Sequence, residues 1–362
     1  SSLVTAMRLA RAGNHLSLPC GGARGLIGDP RPNADRELMA KERLEKNLAG
    51  IKAQVDRIFE GKAEIVNNYD WTKDYTFLEF LRDIGKYINV SYMLGKDIIA
   101  RRLETGITFA EFSYTLLQGY DFLHLFRTKN CIMQCEGADQ WGNITTGLEL
   151  IRKIEGKEAY GFTMPLVLDK YGNKFGKSAG NALWLDINKT SGYELYQYLV
   201  NVDDSMVIDY LKIFTFLTKE QIEELEAKNK EHPELREAHK ALAREIITDL
   251  HGAAEYDKAV DISAKLFSGD LKSLSLKDIE IGFRDVPTFE LKEEGKAIID
   301  VLVENKICGS KREAREFFAQ GSITCNGEKI ADENTPVTKA MAIEEKVIVV
   351  RRGKKKNYIL KF

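Results

Sequence analysis

The sequence predicts an α/β protein in which a parallel-sheet domain is followed by a run of helices and then a small α+β module. Three observations lead there. Strand-like and helix-like patterns alternate up to about residue 193, as in chains that fold into a parallel sheet flanked by helices. Beyond Tyr193 one helical pattern follows another and strand signals vanish. They return only in a compact, basic last segment.

In order, residues 3–13 read as a helix with Leu3, Met7 and Ala10 on one face, and 16–20 as a short strand. A glycine-rich turn follows at 21–25, then Leu26-Ile27-Gly28-Asp29-Pro30. Residues 36–60 are helical, with Leu44, Leu48, Ile51, Val55 and Ile58 at helical spacing. Residues 64–66, 131–134 and 166–169 read as strands; 77–87, 109–126 and 144–154 read as helices. The clearest later helices are 219–227 and 234–250. Residues 282–295, with Pro287 and few periodic apolar positions, read as a linker. The end reads as two helices with strands at 322–324 and 346–350.

A length of 362 residues suits two or three domains. With 44% hydrophobic and 30% charged residues, the chain has the composition of a globular protein. No apolar run approaches the roughly 20 residues that span a bilayer. Residues 1–13 lack the apolar stretch and cleavage site of a signal peptide. Five scattered cysteines suit a reducing cytosol better than a disulfide framework. Cys131 and Cys135 are four apart, but no second Cys/His pair completes a zinc set, so no tightly bound metal is expected. The net charge of −2 is uneven: residues 296–362 carry 14 Lys+Arg against 9 Asp+Glu, or +5, which leaves −7 for the rest. A basic tail on an acidic body points to a polyanion such as nucleic acid, or simply to a solvated surface.

Three stretches carry chemistry. In 111–121, Tyr114, Gln118 and Asp121 fall at i, i+4 and i+7 and share one helix face. That stripe is either a wet face or the wall of a pocket for a small polar ligand. In the second case, a carboxylate that accepts from a ligand hydroxyl penalises an analogue without it. In Glu136-Gly137-Ala138-Asp139-Gln140-Trp141-Gly142-Asn143, an acid follows a strand beside glycines, where open α/β sheets bind ligands. Asp139 can accept both hydroxyls of a ribose; alternatively, Asp139 or Asn143 caps the next helix. In Lys174-Phe175-Gly176-Lys177-Ser178, two lysines three apart lie in a loop with Gly172, Gly176 and Gly180. They can neutralise charge developing on a polyphosphate, or are ordinary surface charge.

Taken together, Gly25-Leu26-Ile27-Gly28-Asp29-Pro30, Asp139-Gln140-Trp141-Gly142-Asn143 and the Lys-Phe-Gly-Lys-Ser loop resemble the class I tyrosyl-tRNA synthetases of bacteria. The resemblance covers nearly the whole chain. It implies a Rossmann-like class I synthetase catalytic domain over 1–195, with a dimer-interface insertion at about 60–130. A helical anticodon-binding domain (196–281), the linker (282–295) and a ribosomal-protein-like RNA-binding domain (296–362) follow. It implies the substrates L-tyrosine, ATP and tRNA(Tyr), magnesium arriving with ATP, a cytoplasmic homodimer and no membrane. Asp29, Tyr114 and Gln118 match positions that hold the tyrosine α-amino group, Asp121 the one that receives the phenol hydroxyl, and Gln140 one near the carboxylate. Gly137 and Asp139 match ATP contacts; Lys174, Lys177 and Ser178 match the mobile loop at the pyrophosphate. Arg152, Lys153, Lys311, Arg312 and Arg315 match tRNA-binding positions.

Some positions depart from the family pattern. Cys20 and Arg24 stand where apolar and Thr residues are commoner, and Glu136 and Ala138 where Gly and Ser are usual. The family's His-x-Gly-His motif, and a tyrosine that helps to read the phenol, are expected to lie upstream of Ser1. The reading from sequence is therefore a member of that synthetase family, activating tyrosine with ATP and charging tRNA(Tyr); a catalytically impaired RNA-binding paralogue or a truncated form of the same family is the alternative. A tryptophan-activating relative is disfavoured by Asp121 and the basic tail. A pseudouridine synthase is disfavoured because its tail would precede its catalytic domain.

Overall fold

The computed structural model describes residues 2–27, 39–173, 175, 177–178, 181–284, 286–353 and 356–362. The chain forms two compact units, 1–182 and 183–362.

The first unit opens with α1 (Ser2–Arg11), β1 (Leu16–Cys20), α2 (Gly22–Ile27), α3 (Lys41–Phe59) and β2 (Ala63–Asn67). Four short helices follow: α4 (Tyr69–Thr72), α5 (Phe77–Asp83), α6 (Val90–Leu94) and α7 (Asp97–Leu103). Then come α8 (Phe109–Lys129), β3 (Met133–Gly137), α9 (Trp141–Glu155) and β4 (Tyr160–Met164), and the two-residue strands β5 (Lys177–Ser178) and β6 (Asn181–Ala182). β1 pairs parallel with β2, and β3 with β4. Among the described residues of this unit, the parallel strands thus form two pairs. The strand expected at 166–169 is absent, and the strand paired with β3 is β4. Residues 166–169 instead enter a turn: the Asp169 carboxylate accepts from the amides of Tyr171 and Asn173, each at 2.9 Å. Leu166 and Leu168, whose alternation mimics a strand, are exposed.

α8 organises this unit. A capping box fixes its start, since Thr108 Oγ1 accepts from the Glu111 amide at 3.2 Å and the Glu111 carboxylate accepts in return. Glu111 is buried and ion-paired with Arg102 at 3.2 Å. Asn130, with φ 52°, ends the helix. Tyr120, Phe122 and Leu123 of α8 pack with Ile84, Ile88, Met93, Ile99, Leu150 and Ile151 into one apolar core.

The second unit begins with helices α10 (Gly192–Val200), α11 (Asp204–Phe214), α12 (Lys219–Glu231), α13 (Glu237–His251), α14 (Ala253–Ser268) and α15 (Leu276–Gly282). It ends with β7 (Thr288–Glu290), α16 (Ile298–Glu304), α17 (Lys311–Ala319), β8 (Ile323–Cys325), β9 (Glu328–Lys329), β10 (Val347–Arg352) and β11 (Lys356–Lys361). The sheet runs β7-β11-β10-β8-β9. Both of its faces are covered. Ile348, Val350 and Leu360 pack with α16 and α17, whereas Val347, Val349 and Ile359 join Ile262, Leu271, Leu274 and Ile279. This period of two explains the unbroken Val-Ile-Val-Val run. The stretch read as a linker, 282–295, contains β7, which pairs with β11 and ties the stretch into the sheet.

α8 and α9 pack closely at Gly147. A Cβ there would lie 2.8 Å from Cδ1 of Phe122 and 2.9 Å from its Cβ. Gly147→Val should lower stability by about 1–3 kcal/mol, read as a lower urea midpoint. An unchanged midpoint would show that the two helices are free to part.

Candidate active site

Tyr114, Gln118 and Asp121 lie on one face of α8 and are all buried, with Asp121 4% exposed. A carboxylate at that depth needs donors or a countercharge, and three distant segments supply them. Trp71 Nε1 of α4 donates to Asp121 Oδ1 at 2.9 Å. Asn68 Nδ2 donates to Oδ2 at 3.0 Å. The guanidinium of Arg24, on α2, brings its Nε to 3.0 Å from Oδ2.

Asn68 is the joint of this arrangement. It is fully buried and follows β2 directly. Its amide nitrogen donates to the Cys20 carbonyl of β1 at 3.1 Å, and its Oδ1 accepts from the Ala23 amide of α2 at 2.8 Å. One side chain thereby fixes the end of β1, the carboxylate and the start of α2, a helix over Gly22–Ile27 where the sequence reads a glycine-rich turn. Trp71 is held in turn by stacking on His124, with ring centres 4.5 Å apart and planes 11° off parallel.

Burial raises the Asp121 carboxyl to about 6, and the nearby Glu136 charge adds to the rise. Arg24, Trp71 and Asn68 oppose it without cancelling it. Burial likewise lowers the His124 imidazole, with Arg127 adding to the effect.

A second network continues from Gln118. Its Nε2 donates to Glu136 Oε2 at 3.1 Å, and its Oε1 accepts from Asn143 Nδ2 at 3.1 Å. Asn143 also donates to Gln140 Oε1 at 2.9 Å, and Gln134 Nε2 to Glu136 Oε1 at 2.8 Å. Gln118 and Gln140, which the sequence assigns to one ligand, are therefore joined through Asn143. Neither Asp139 nor Asn143 caps the following helix: α9 starts at Trp141 without a side-chain cap, and Asn143 lies inside it. Asp139 is exposed at the C-terminal end of β3. Its carboxylate packs where a Cβ on Gly137 would stand, at 2.8 Å, so that position takes only glycine without a shift. Beside Asp139 opens a cavity of about 950 Å³, lined among others by Tyr92, Lys96, Trp141 and Leu166. Lys96 is buried there, its ammonium on the Gly142 carbonyl and 3.2 Å from the Tyr92 hydroxyl. Burial lowers its pKa.

Other expected residues lie apart from this cluster or outside the description. Asp29 and Lys174 lie outside the described residues, as do the side chains of Lys177 and Ser178. The backbone of Lys177 and Ser178 pairs antiparallel with Ala182 and Asn181. Arg152 pairs with Glu149 at 2.9 Å, and Lys153 donates to the Tyr87 carbonyl at 2.8 Å. In the second unit, Lys311 pairs with Asp300 at 2.5 Å, Arg312 with Glu316 at 3.4 Å and Arg315 with Glu333 at 3.0 Å. Sequence reasoning missed Asn68 and Trp71, and took Arg24 and Glu136 only as departures. The polar run Asn67-Asn68-Tyr69-Asp70-Trp71, set directly behind a strand, was the available signal for the first two.

Comparison with known proteins decides the family. The family model "tRNA synthetases class I (W and Y)" matches residues 2–268, and "Tyrosine--tRNA ligase SYY-like C-terminal domain" matches 278–360. The tyrosine–tRNA ligase of Bacillus velezensis is 47% identical over 99% of this chain and 88% of its own. The chain belongs to the tyrosine–tRNA ligase family. Tyrosine–tRNA ligase 2 of Bacillus anthracis is 48% identical, over 98% of this chain and 86% of its own. Among solved structures, a C-terminally truncated mitochondrial tyrosyl-tRNA synthetase of Aspergillus nidulans matches at TM-score 0.63 and 32% identity, covering 72% of this chain and 80% of that one. The first model spans tryptophan and tyrosine enzymes alike; the C-terminal model and the near full-length identity select the tyrosine ligases.

The raised Asp121 carboxyl has a thermodynamic consequence. A carboxyl that titrates at about 6 when folded and near 3.8 when unfolded binds its proton more tightly in the native state. Its contribution to stability is full below 3.8 and is lost as pH rises through 6, a difference of roughly 3 kcal/mol. The unfolding midpoint of Asp121→Asn, relative to wild type, should therefore rise between pH 4 and 7. Parallel pH profiles would show that Asp121 titrates normally.

Proposed function

We propose that this ligase activates L-tyrosine with ATP and transfers it to the 3′ end of tRNA(Tyr). The observation that carries the site assignment is the buried Asp121 carboxylate, on one helix face with Tyr114 and Gln118. Asp121 accepts the substrate phenol proton; Tyr114, Gln118 and Asp29 hold the α-ammonium; Gln140 lies by the carboxylate. Asp139 and the Gly137 backbone take the ATP ribose. In the first step a tyrosine carboxylate oxygen attacks the α-phosphorus, the bond to the β-phosphate oxygen breaks, and pyrophosphate leaves. In the second step a hydroxyl of the tRNA terminal ribose attacks the tyrosyl carbonyl, and AMP leaves. Both steps depend on positioning and charge stabilisation. Lys174, Lys177 and Ser178 stabilise charge on the leaving pyrophosphate, and magnesium arrives on the phosphates of ATP.

The surrounding roles follow the same reading. Exposed Phe77, Leu78, Val90 and Phe109 support a homodimer surface in the first unit. The catalytic and anticodon-binding parts divide at about 195, and the RNA-binding part, with β7 in its sheet, follows from about 282. No helix among the described residues is long and apolar enough to cross a membrane, and with five cysteines in no disulfide a cytoplasmic enzyme is the reading adopted.

The test is labelled-pyrophosphate exchange into ATP, run with tyrosine, phenylalanine and tryptophan. Exchange should depend on tyrosine. Sites that read a hydroxyl reject the deoxy analogue by roughly 10⁴–10⁵, a range for which this enzyme family is itself the reference case. Asp121→Ala should erode the tyrosine preference by about 10- to 100-fold, the value of a hydrogen bond to a charged group. Exchange driven equally by tryptophan, or an unaltered preference in the variant, contradicts the assignment.

Binding of tRNA should respond to a different set of residues. Replacing Lys311, Arg312 and Arg315 together by Gln should weaken tRNA binding and flatten the plot of log Kd against log salt by about one unit per lost phosphate contact. Tyrosyl-adenylate formation should be unchanged. An unaltered salt slope would remove these residues from the tRNA surface.

A further inference from the structure

Arg24 is the one cation in contact with Asp121 among the described residues. Its side chain is 11% exposed. The guanidinium carbon is 6.0 Å from the centre of the Tyr114 ring, while Nε is 3.0 Å from Asp121 Oδ2. Arg24 therefore lies close to both Tyr114 and Asp121, the residues between which the proposed tyrosine ring would extend. Its Nε–H is buried and meets no acceptor along its own direction. The contact with Asp121 is thus one of charge, and a donor remains without a hydrogen bond. Such a group is costly unless something accepts from it.

A carboxylate alone reads a phenol in one way only: it accepts the phenol proton, and it repels a phenolate. A carboxylate with a guanidinium beside it is different. The phenol can donate to Asp121 while its oxygen accepts from Arg24, and a phenolate gains a cation to offset Asp121. The other groups around the carboxylate are Trp71 and Asn68, both neutral donors already committed to it, and Glu136, an anion. Arg24 therefore sets how the pocket treats a negative charge on the ring oxygen.

We propose that Arg24 is a second specificity-determining residue at the phenol end of the amino-acid site, and that it extends the ligands accepted from tyrosine to tyrosines whose ring hydroxyl is ionised. The proposal rests on the reading that this face of α8 binds tyrosine. Glu136, hydrogen-bonded to Gln118, places a negative charge near the residues assigned to the α-ammonium and acts on Asp121 as well, so Arg24 is the cation set against both carboxylates.

The test is equilibrium dialysis at pH 8, where Asp121 is ionised and no adenylate need form. The ligands are L-tyrosine, L-phenylalanine and a ring-tetrafluorinated tyrosine, close to tyrosine in shape and ionised at that pH. The proteins are wild type, Arg24→Thr and Arg24→Lys, with circular dichroism as the folding control. Wild type should bind the fluorinated phenolate within a few-fold of tyrosine. Arg24→Thr should lose at least about tenfold for the phenolate relative to tyrosine, one pK unit of differential interaction. Arg24→Lys, which keeps the charge without the fork, should recover part of that ratio. Rejection of the phenolate by wild type overturns the proposal whether or not the variants fold. So does an unchanged ratio in Arg24→Thr, or a variant that binds both ligands more tightly by the same factor, which would make Arg24 a plug. If wild type binds tyrosine no better than phenylalanine, the reading of the site falls, and the proposal with it.

Discussion

The first unit is built around a carboxylate that burial disfavours. Asp121 sits in the middle of α8, and the elements packed near it converge on its two oxygens. Trp71 approaches from α4, Asn68 from the end of β2 and Arg24 from α2. Asn68 also holds β1 and the start of α2 through the Cys20 carbonyl and the Ala23 amide. Satisfying one charge thus fixes the mutual placement of two strands and three helices. Partly satisfied polar networks in a core carry high stakes. Here the residual strain shows as a carboxyl raised to about 6 despite the adjacent arginine.

Sites of this kind separate structure from recognition only weakly. The donors that make Asp121 tolerable in the core also fix the lone pairs left for a ligand. Gln118 repeats the pattern one helical turn away, held by Glu136 and Asn143. Gln118 and Asp121 are therefore both held in place by their neighbours, and preorganised dipoles stabilise charge without reorganising.

The parts of the site legible in the sequence are those that recur within a helix or beside a strand. The spacing of Tyr114, Gln118 and Asp121 is a local property, and so is an acid after β3. The parts that were not legible are long-range: Asn68 and Trp71 reach Asp121 across about 50 residues of sequence, and nothing in their own neighbourhoods names a partner. Arg24 and Glu136 stood out as unusual residues, but their signs only acquire meaning once α8 brings Asp121 and Gln118 beside them. The fold shows the same division. Helices with caps, such as α8, were placed within a few residues, whereas Leu166 and Leu168 imitated a strand in what is a carboxylate-closed turn. The linker assignment overlooked β7, whose three residues are too few for a periodic signal and whose partner β11 lies about 70 residues away.

The arrangement around α8 turns on one carboxyl group, and the state of that group is directly observable. Carbon-13 NMR of protein labelled at aspartate carboxyls, with the Asp121 resonance assigned by its absence from Asp121→Asn, gives the titration in the free and tyrosine-saturated forms. The expected result is a midpoint near 6 in the free protein, moving down when tyrosine is bound and the ionised form is held by the phenol. A midpoint in the ordinary carboxylate range, indifferent to tyrosine, would contradict the claim that Asp121 is a buried acceptor awaiting the substrate.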